Sequence, residues 1–444
     1  MRKHIELAEA TLDLVGGRAD AEVSTDVGTT ALTRFANSFI HQNVSEEATN
    51  VNLRVATAEG RVASSTSTAS DIDDLRRFVD ATIAAAGLQP VDGEWPGLGG
   101  PVDGTPVDHW DPATADADPM ARARAVRAFV DAGEGLSAAG YCQTEARHTA
   151  YANTEGRSVS GRYTTAIVDG IHQTGESAGS AHGAGRSLAS IDAAALGARA
   201  AATAEAGRGG FDTKPGDYQV VLSPECVATV AVFLSVYGFN AKTHAEGLSF
   251  IDVGAPQFDS LIDIWDDATD PRGLFVGFDA EGSPKPRLDL VRSGVSSGLF
   301  HNRRTASAAG TNSTGHAMVG AEVWGPVGWN TFVGGGTSSV DAMIAGVDRG
   351  VYVTAFNYCR VLDPKSLVVT GLTRNGTFLI ENGSITEPVT NLRFTQSFAA
   401  ALAPGAVVAI GEDARFADSE FGPAMVHAPS MHLASWNFTG GAGG

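Results

Sequence analysis

The chain has 444 residues, with 51 acidic against 31 basic side chains and a formal charge of −20. At about 150 residues per domain this length suggests two to three domains, and 43% hydrophobic with 18% charged residues suits a folded globular chain. The acidic balance, with no Lys/Arg block, argues against a phosphate-reading nucleic-acid surface, and no run approaches the ~18 apolar residues of a membrane-crossing helix. In chain order, Ile5, Leu7, Ala8, Leu12 and Val15 recur at helical spacing and stop at Gly16-Gly17. Glu6, Glu9 and Asp13 interrupt that stretch, so it does not read as a signal peptide. Alternating patterns then predict short strands at Ala21–Val27, Ser38–Asn43, Asn50–Ala56 and Arg61–Ser65, and a second helix from about Ser70 to Ala86.

Residues 87–118 are rich in Pro, Gly and Asp and read as a linker tacked down by Trp95 and Trp110. A helix over Pro119–Ala132, hairpin-like strands at Gly140–Thr149, Gly156–Val168 and Gly170–Ser177, and an Ala-rich helix over Ser190–Glu205 follow. The strand Tyr218–Leu222 leads into Ser223-Pro224-Glu225, a helix start with Ser as N-cap and Pro at the first helical position. The helix Cys226–Tyr237 is nearly all apolar and is expected to be buried. Beyond it the chain turns β. Asn375-Gly376 and Asn382-Gly383 predict an antiparallel meander through Leu367–Thr373 and Thr377–Glu381, and a helix over Ala342–Val347 follows Gly334-Gly335-Gly336. The fold class is therefore α+β: an N-terminal module with a small sheet over 1–90, a linker and middle helix-hairpin module over 91–210, and a mostly antiparallel β domain with a buried helix over 211–444.

Residues suited to catalysis are scattered. None of the eleven histidines falls in a His-Glu-x-x-His or His-x-His spacing, so no zinc site is expected from this chain alone. His244-Ala245-Glu246 supplies one imidazole, and His172, His182, His301, His316, His427 and His432 are isolated. Gly-x-Ser-x-Gly occurs around Ser177 and Ser296, but neither serine is followed directly by a helix as a nucleophile elbow requires. Cys142, Cys226 and Cys359 are too few for a disulfide framework and point to a reducing, cytoplasmic setting. Cys359 between Tyr358 and Arg360 is a conceivable nucleophile, though a small buried hydrophobe explains it more simply. The Gly334-Gly335-Gly336 turn before a helix could hold an anion, a substrate carboxylate rather than a nucleotide.

Several passages together resemble the TldD/PmbA family, also described as the modulator-of-gyrase family. They are Arg34-Phe35-Ala36-Asn37 followed by Ile40-His41-Gln42, the Tyr151–Val159 turn, Ser313–Met318, the Gly334–Thr354 stretch and the Phe378–Val389 hairpin. In Ser313-Thr314-Gly315-His316 a histidine stands where the family's loop has asparagine. The resemblance implies cytosolic peptidase complexes that cut short or unfolded peptides. It places the catalytic branch's His-Glu-x-x-x-His on the buried helix, with a C-terminal cysteine as third zinc ligand. Here Val232, Phe233 and Tyr237 stand at the motif's positions and Cys359 lies close to the third. The departure resembles the PmbA/TldE branch, which lacks the motif and pairs with TldD.

These readings imply a peptidase-complex subunit with no catalytic or metal residues of its own. Zinc would sit in a TldD-type partner, and the partners would be that homologue and peptide, with no direct nucleic acid or membrane contact. Gly334, Gly335, Gly336, Ser313, Thr314 and His316 are the residues expected to line a shared chamber, because glycine lets peptide backbone approach closely. Two alternatives stand beside this: a regulatory binding protein acting on gyrase or another partner, and a stand-alone peptidase using Cys359, Ser177, His316 or His244.

Overall fold

The computed structural model describes residues 2–102, 107–320 and 323–441, and the side chains from residue 4 onward. Its first half is organised by one long hairpin. Strands β1 (Asp20–Ala36) and β2 (Phe39–Ala56) pair antiparallel over nearly their whole lengths. The connecting pair, Asn37 and Ser38, has φ of 49° and 64°, the left-handed geometry whose twist matches a tight hairpin. With β3 (Val62–Ser67), β4 (Ser137–Asn153), β5 (Ser158–Gln173) and β6 (Ala178–Gly185), they form a six-stranded sheet in the order β3-β2-β1-β4-β5-β6.

The expected short strands are thus long ones, and the reason lies in the glycines. Gly28, Gly140 and Gly170 sit inside strands, where they make room rather than turns. A Cβ on Gly28 would stand 2.0 Å from the Ala146 carbonyl, and one on Gly170 would meet the Phe129 ring at 2.7 Å. The third strand of the middle module consequently starts at Ala178, after a turn at 174–177, and not at Gly170. Because β1 pairs with β4, the boundary expected near residue 90 falls between neighbouring strands of one sheet.

Helices α1 (Arg2–Val15) and α2 (Ile72–Gly87) cover one end of this sheet around Ala8, Val15, Val23, Leu53, Leu75 and Val79. Asp71 caps α2, its carboxylate accepting the N–H groups of Asp73 and Asp74. After the short α3 (Pro112–Ala115), helices α4 (Pro119–Asp131) and α5 (Ala193–Ala206) cover the other end, against Phe35, Val168 and Ala181. The linker is held by its aromatics: the guanidiniums of Arg54 and Arg303 each lie 5.8 Å from the Trp95 ring, and Arg162 lies 4.8 Å from Trp110.

In the second half two sheets enclose one helix, α6 (Pro224–Phe233). The larger sheet is centred on β7 (Gly216–Leu222), flanked by Met431–Gly441 antiparallel and Arg349–Val353 parallel. The smaller is a six-stranded sheet built around Ile264–Asp266 and Thr331–Val333. Cys226 to Leu234 are all buried, packed with Ile262, Phe394, Phe398 and Trp436, as an apolar helix requires. Asn382-Gly383 closes a hairpin, with Glu381 opposite Ser384. Asn375-Gly376 does not: Val368–Thr373 pairs with Phe356–Asp363 and Leu392–Ser397, while Thr377–Glu381 pairs with Arg349–Val353 and Ser384–Pro388. That Asn-Gly pair carries the chain across the sheet rather than back along it.

Val230→Asp should remove on the order of 4 kcal/mol or more, because the carboxylate would be stranded in a dry core. Thermal unfolding of the purified variant checks this, and an unchanged melting temperature would contradict the burial of α6.

Candidate functional site

Helix α6 starts without the expected side-chain cap. The Ser223 hydroxyl donates instead to the Thr354 carbonyl at 2.6 Å, tying the helix start to the larger sheet, and Pro224 occupies the first helical position. The helix then ends in a π turn over Leu234–Gly238. Hydrogen bonds running i→i+5 bring residues five apart towards one side, where an α-helix would splay them by about 140°. Val232 and Tyr237 have that spacing. Val232 lies in the α-helical part just ahead of the π turn and Tyr237 within it, and neither side chain carries an imidazole or carboxylate.

An aromatic cluster stands in their place. The Phe233 ring stacks on Tyr237 at 5.9 Å, meets Phe398 edge-on at 5.7 Å and lies 5.1 Å from Phe421. Such pairs contribute about 0.5–1.5 kcal/mol each beyond burial. Cys359, on the strand Phe356–Asp363 packed against α6, is 1% exposed. Burial and the neighbouring Glu420 push its thiol well above the ordinary range, so it is neither an activated nucleophile nor a ready thiolate ligand. Among the described residues no three His, Cys, Asp or Glu side chains are grouped so as to hold a metal ion. The donor set therefore does not fit a zinc-peptidase centre.

One face of α6 is polar, through Glu225 and Thr229 one turn apart, and it borders a cavity of about 380 Å³. The opposite wall comes from the first sheet and its helix: Asp169 on β5, His182 on β6 and Arg199 on α5. Asp418, Ser419 and Glu420 close another side. Burial opposes ionisation of Glu225, yet Arg415 and Arg199 outweigh it and hold the carboxyl below its usual range. The Arg415 contacts to Glu225 are 2.8 and 3.0 Å long. His182 Nδ1 meets Asp169 Oδ2 at 3.2 Å. Burial, reinforced by Asp169 and only partly offset by His182, pushes Asp418 up to about 6.

The expected chamber residues lie elsewhere. His316 is buried, with Nε2 3.1 Å from Asp266 Oδ1, Nδ1 2.9 Å from Thr314 Oγ1 and its ring 4.4 Å from Phe300. Burial opposes ionisation of Asp266, but Lys285 and His316 hold it far below the usual carboxylate range. Ser313 and Thr314 donate to the His301 carbonyl at 3.2 and 3.1 Å. In the glycine turn, Gly334 N–H donates to Asp263 and Gly336 N–H to Gly411, so two of the donors an anion would need are engaged. Gly335 is exposed and has room for a side chain, whereas a Cβ on Gly336 would stand 2.2 Å from the Ile410 carbonyl. The turn lies against Gly411 and Ala414, next to the cavity residue Arg415. His244 and His301 line a separate cleft of about 860 Å³ with Trp95 and Arg304. Ser177 donates to the Ala204 carbonyl at 2.6 Å, and Ser296 to Gln257 at 2.8 Å.

Sequence reasoning passed over Asp169, Arg199, Arg415 and Asp418 and set His182 aside as isolated. The signal was the register of β5 and β6, which places Asp169 directly opposite His182. Reading Gly170 as a turn hid it.

Asp418 also yields a prediction with a definite sign. Its folded-state pKa is raised, so its favourable contribution is complete below the ordinary value of 3.8 and is lost as pH rises through about 6. Asp418→Asn should therefore raise stability at pH 7.5, by at most about 3 kcal/mol, and leave it nearly unchanged near pH 3.5. Melting temperatures of both proteins at the two pH values decide the matter; no gain at pH 7.5 would refute it.

The family described as PmbA/TldA metallopeptidase C-terminal domain matches residues 215–440, just over half of the chain. Metalloprotease slr0863 of Synechocystis sp. is 30% identical over 132 residues, 29% of this chain and 27% of that protein. The Metalloprotease TldD homolog of Buchnera aphidicola is 27% identical over 161 residues, 35% of this chain and 33% of its own length. The matched stretch thus spans about a third or less of these relatives. TldE from Thermococcus kodakarensis has the same fold, with a TM-score of 0.85 over 99% of both chains at 16% identity. By the match across its C-terminal half, the chain belongs to the TldD/PmbA family.

Proposed function

We propose that this chain is the TldE/PmbA-like subunit of a cytosolic metallopeptidase complex, holding short or unfolded peptides for a zinc-bearing, TldD-type partner. The observation that carries the reading is α6. At the positions that the resemblance gives to a metal motif, Val232, Phe233 and Tyr237 form an aliphatic and aromatic cluster at the end of the buried helix. Zinc in the partner would polarise the scissile carbonyl and lower the pKa of its bound water. This chain would contribute walls and backbone contacts. The β2 residues ahead of Val51 pair with β1 but not with β3, leaving a strand edge to which an extended peptide could add. The exposed Gly335 and the half-buried Ser313 are the chamber-lining positions we favour. His316, enclosed by Asp266 and Phe300, would act by holding the loop.

Two measurements test this. The dialysed chain alone should bind no stoichiometric zinc, and about one zinc per chain, abolished by Cys359→Ser, would contradict the assignment. Mixing the chain with a TldD-type subunit should raise cleavage of a disordered peptide at least about tenfold over either alone, and Gly335→Trp should reduce that gain. A metal-bearing subunit that cleaves equally well without this chain would overturn the proposal.

A further inference from the structure

The cavity beside α6 contains one side chain whose hydrogen bonding is incomplete. His182 is 2% exposed and lines the cavity, and among the described residues its Nε2 has no hydrogen-bond partner. Nδ1 faces the Asp169 carboxylate, which can only accept, so in the tautomer that donates there Nε2 is a lone-pair acceptor. A buried acceptor of this kind destabilises the fold unless something donates to it.

Asp418 borders the same space. Among the described residues no Lys or Arg forms an ion pair with it. Of the other charges around the cavity, all but Arg374, which lies away from His182 in the chain and on the exposed side, face an opposite charge. Arg199 and Arg415 share Glu225 and Asp413, and Arg360 pairs with Glu420 at 3.0 Å. Arg374 is exposed and donates to Asn357 Oδ1. The His182 end therefore holds two carboxylates, Asp169 and Asp418, against a single imidazole. An anionic ligand would add to that repulsion. A cation that donates several hydrogen bonds would relieve it and satisfy Nε2 as well.

We propose that the His182–Asp418 end of this cavity is a subsite for a primary ammonium group, that of a peptide N-terminus. Three N–H donors of an ammonium match the imidazole Nε2 and the Asp418 carboxylate, with one left for water or peptide carbonyl. The volume, about 380 Å³, lies within the range of small-ligand sites. This inference rests on the reading of the chain as a peptide-holding subunit and says which end of the peptide it grips.

Calorimetric titration of the full chain with three probes tests it: free-amine tetra-alanine amide, its N-acetylated form, and N-acetyl-Ala-Lys-Ala amide. Tetra-alanine amide should bind, and acetylation should weaken it about tenfold or more, the scale expected for a lost charge-assisted hydrogen bond. Asp418→Asn and His182→Phe should each give the same loss. Asp418→Asn should do so while its melting temperature at pH 7.5 holds or rises, an outcome a merely structural role would not produce. Equal binding of acetylated and free tetra-alanine, or no binding of the free amine, overturns the proposal. If only the lysine probe binds, the N-terminal assignment also fails. Cleavage of N-acetylated peptides by the reconstituted complex would leave the subunit reading standing, so the two can fail separately.

Discussion

The burial of α6 between two sheets is the constraint on which the C-terminal half depends. Val227, Val230, Val232, Phe233 and Leu234 are each at most 4% exposed. At about 1.5–3 kcal/mol per fully buried side chain, this one helix contributes on the order of 10 kcal/mol. That is comparable with the net stability of a whole domain. A His-Glu pair at Val232 and Phe233 would replace that contribution with two polar groups needing partners in a dry core, a cost that bound metal would have to offset. With an aliphatic and an aromatic there, the helix is stable without metal. Its only polar break on the cavity side, at Glu225 and Thr229, fixes where a ligand can approach.

At that break the chain keeps charges that packing alone would not select. Glu225 is held ionised by two guanidiniums, a satisfied arrangement. Asp418 is not: burial and Asp169 raise its pKa, so ionisation at neutral pH works against folding. A carboxyl with a raised pKa thus borders the same cavity as an imidazole nitrogen that has no partner among the described residues. The His316–Asp266–Lys285 group shows the contrasting case. There every charge faces an opposite one and the imidazole uses both nitrogens, which is what a structural network looks like.

Elements with strong local signals were legible in the sequence. The helices near both ends of the first sheet, the Pro224 helix start and the Asn382-Gly383 hairpin follow from periodicity, proline geometry and turn chemistry. What failed were inferences that glycine means a turn. Gly28 and Gly170 are glycines because a neighbouring backbone or ring occupies the space of a Cβ, a tertiary fact with no local trace. Asn375-Gly376 has hairpin chemistry, but its flanking strands find better partners elsewhere in the sheet. That Val232, Phe233 and Tyr237 stand on a buried helix was legible from its apolar run. The cavity was not, because its walls are separated by some 250 residues, from Asp169 to Glu420.

That separation has a physical consequence. Asp169, His182 and Arg199 belong to the continuous sheet and helices of the first half, whereas Glu225, Asp418 and Glu420 belong to the second. A ligand in the cavity touches both halves at once, so its binding free energy is coupled to how they dock. Arg199 already bridges them: one guanidinium nitrogen donates to the His182 carbonyl at 3.3 Å, and its charge faces Glu225 and Asp413 across the junction. An ammonium between His182 and Asp418 would add a second bridge of the same kind, from β6 to the 418–420 segment that borders both the cavity and Cys359. The strand bearing Cys359 packs directly on α6. Occupancy of the cavity would thus reach α6 through the 418–420 segment and the strand that packs on the helix.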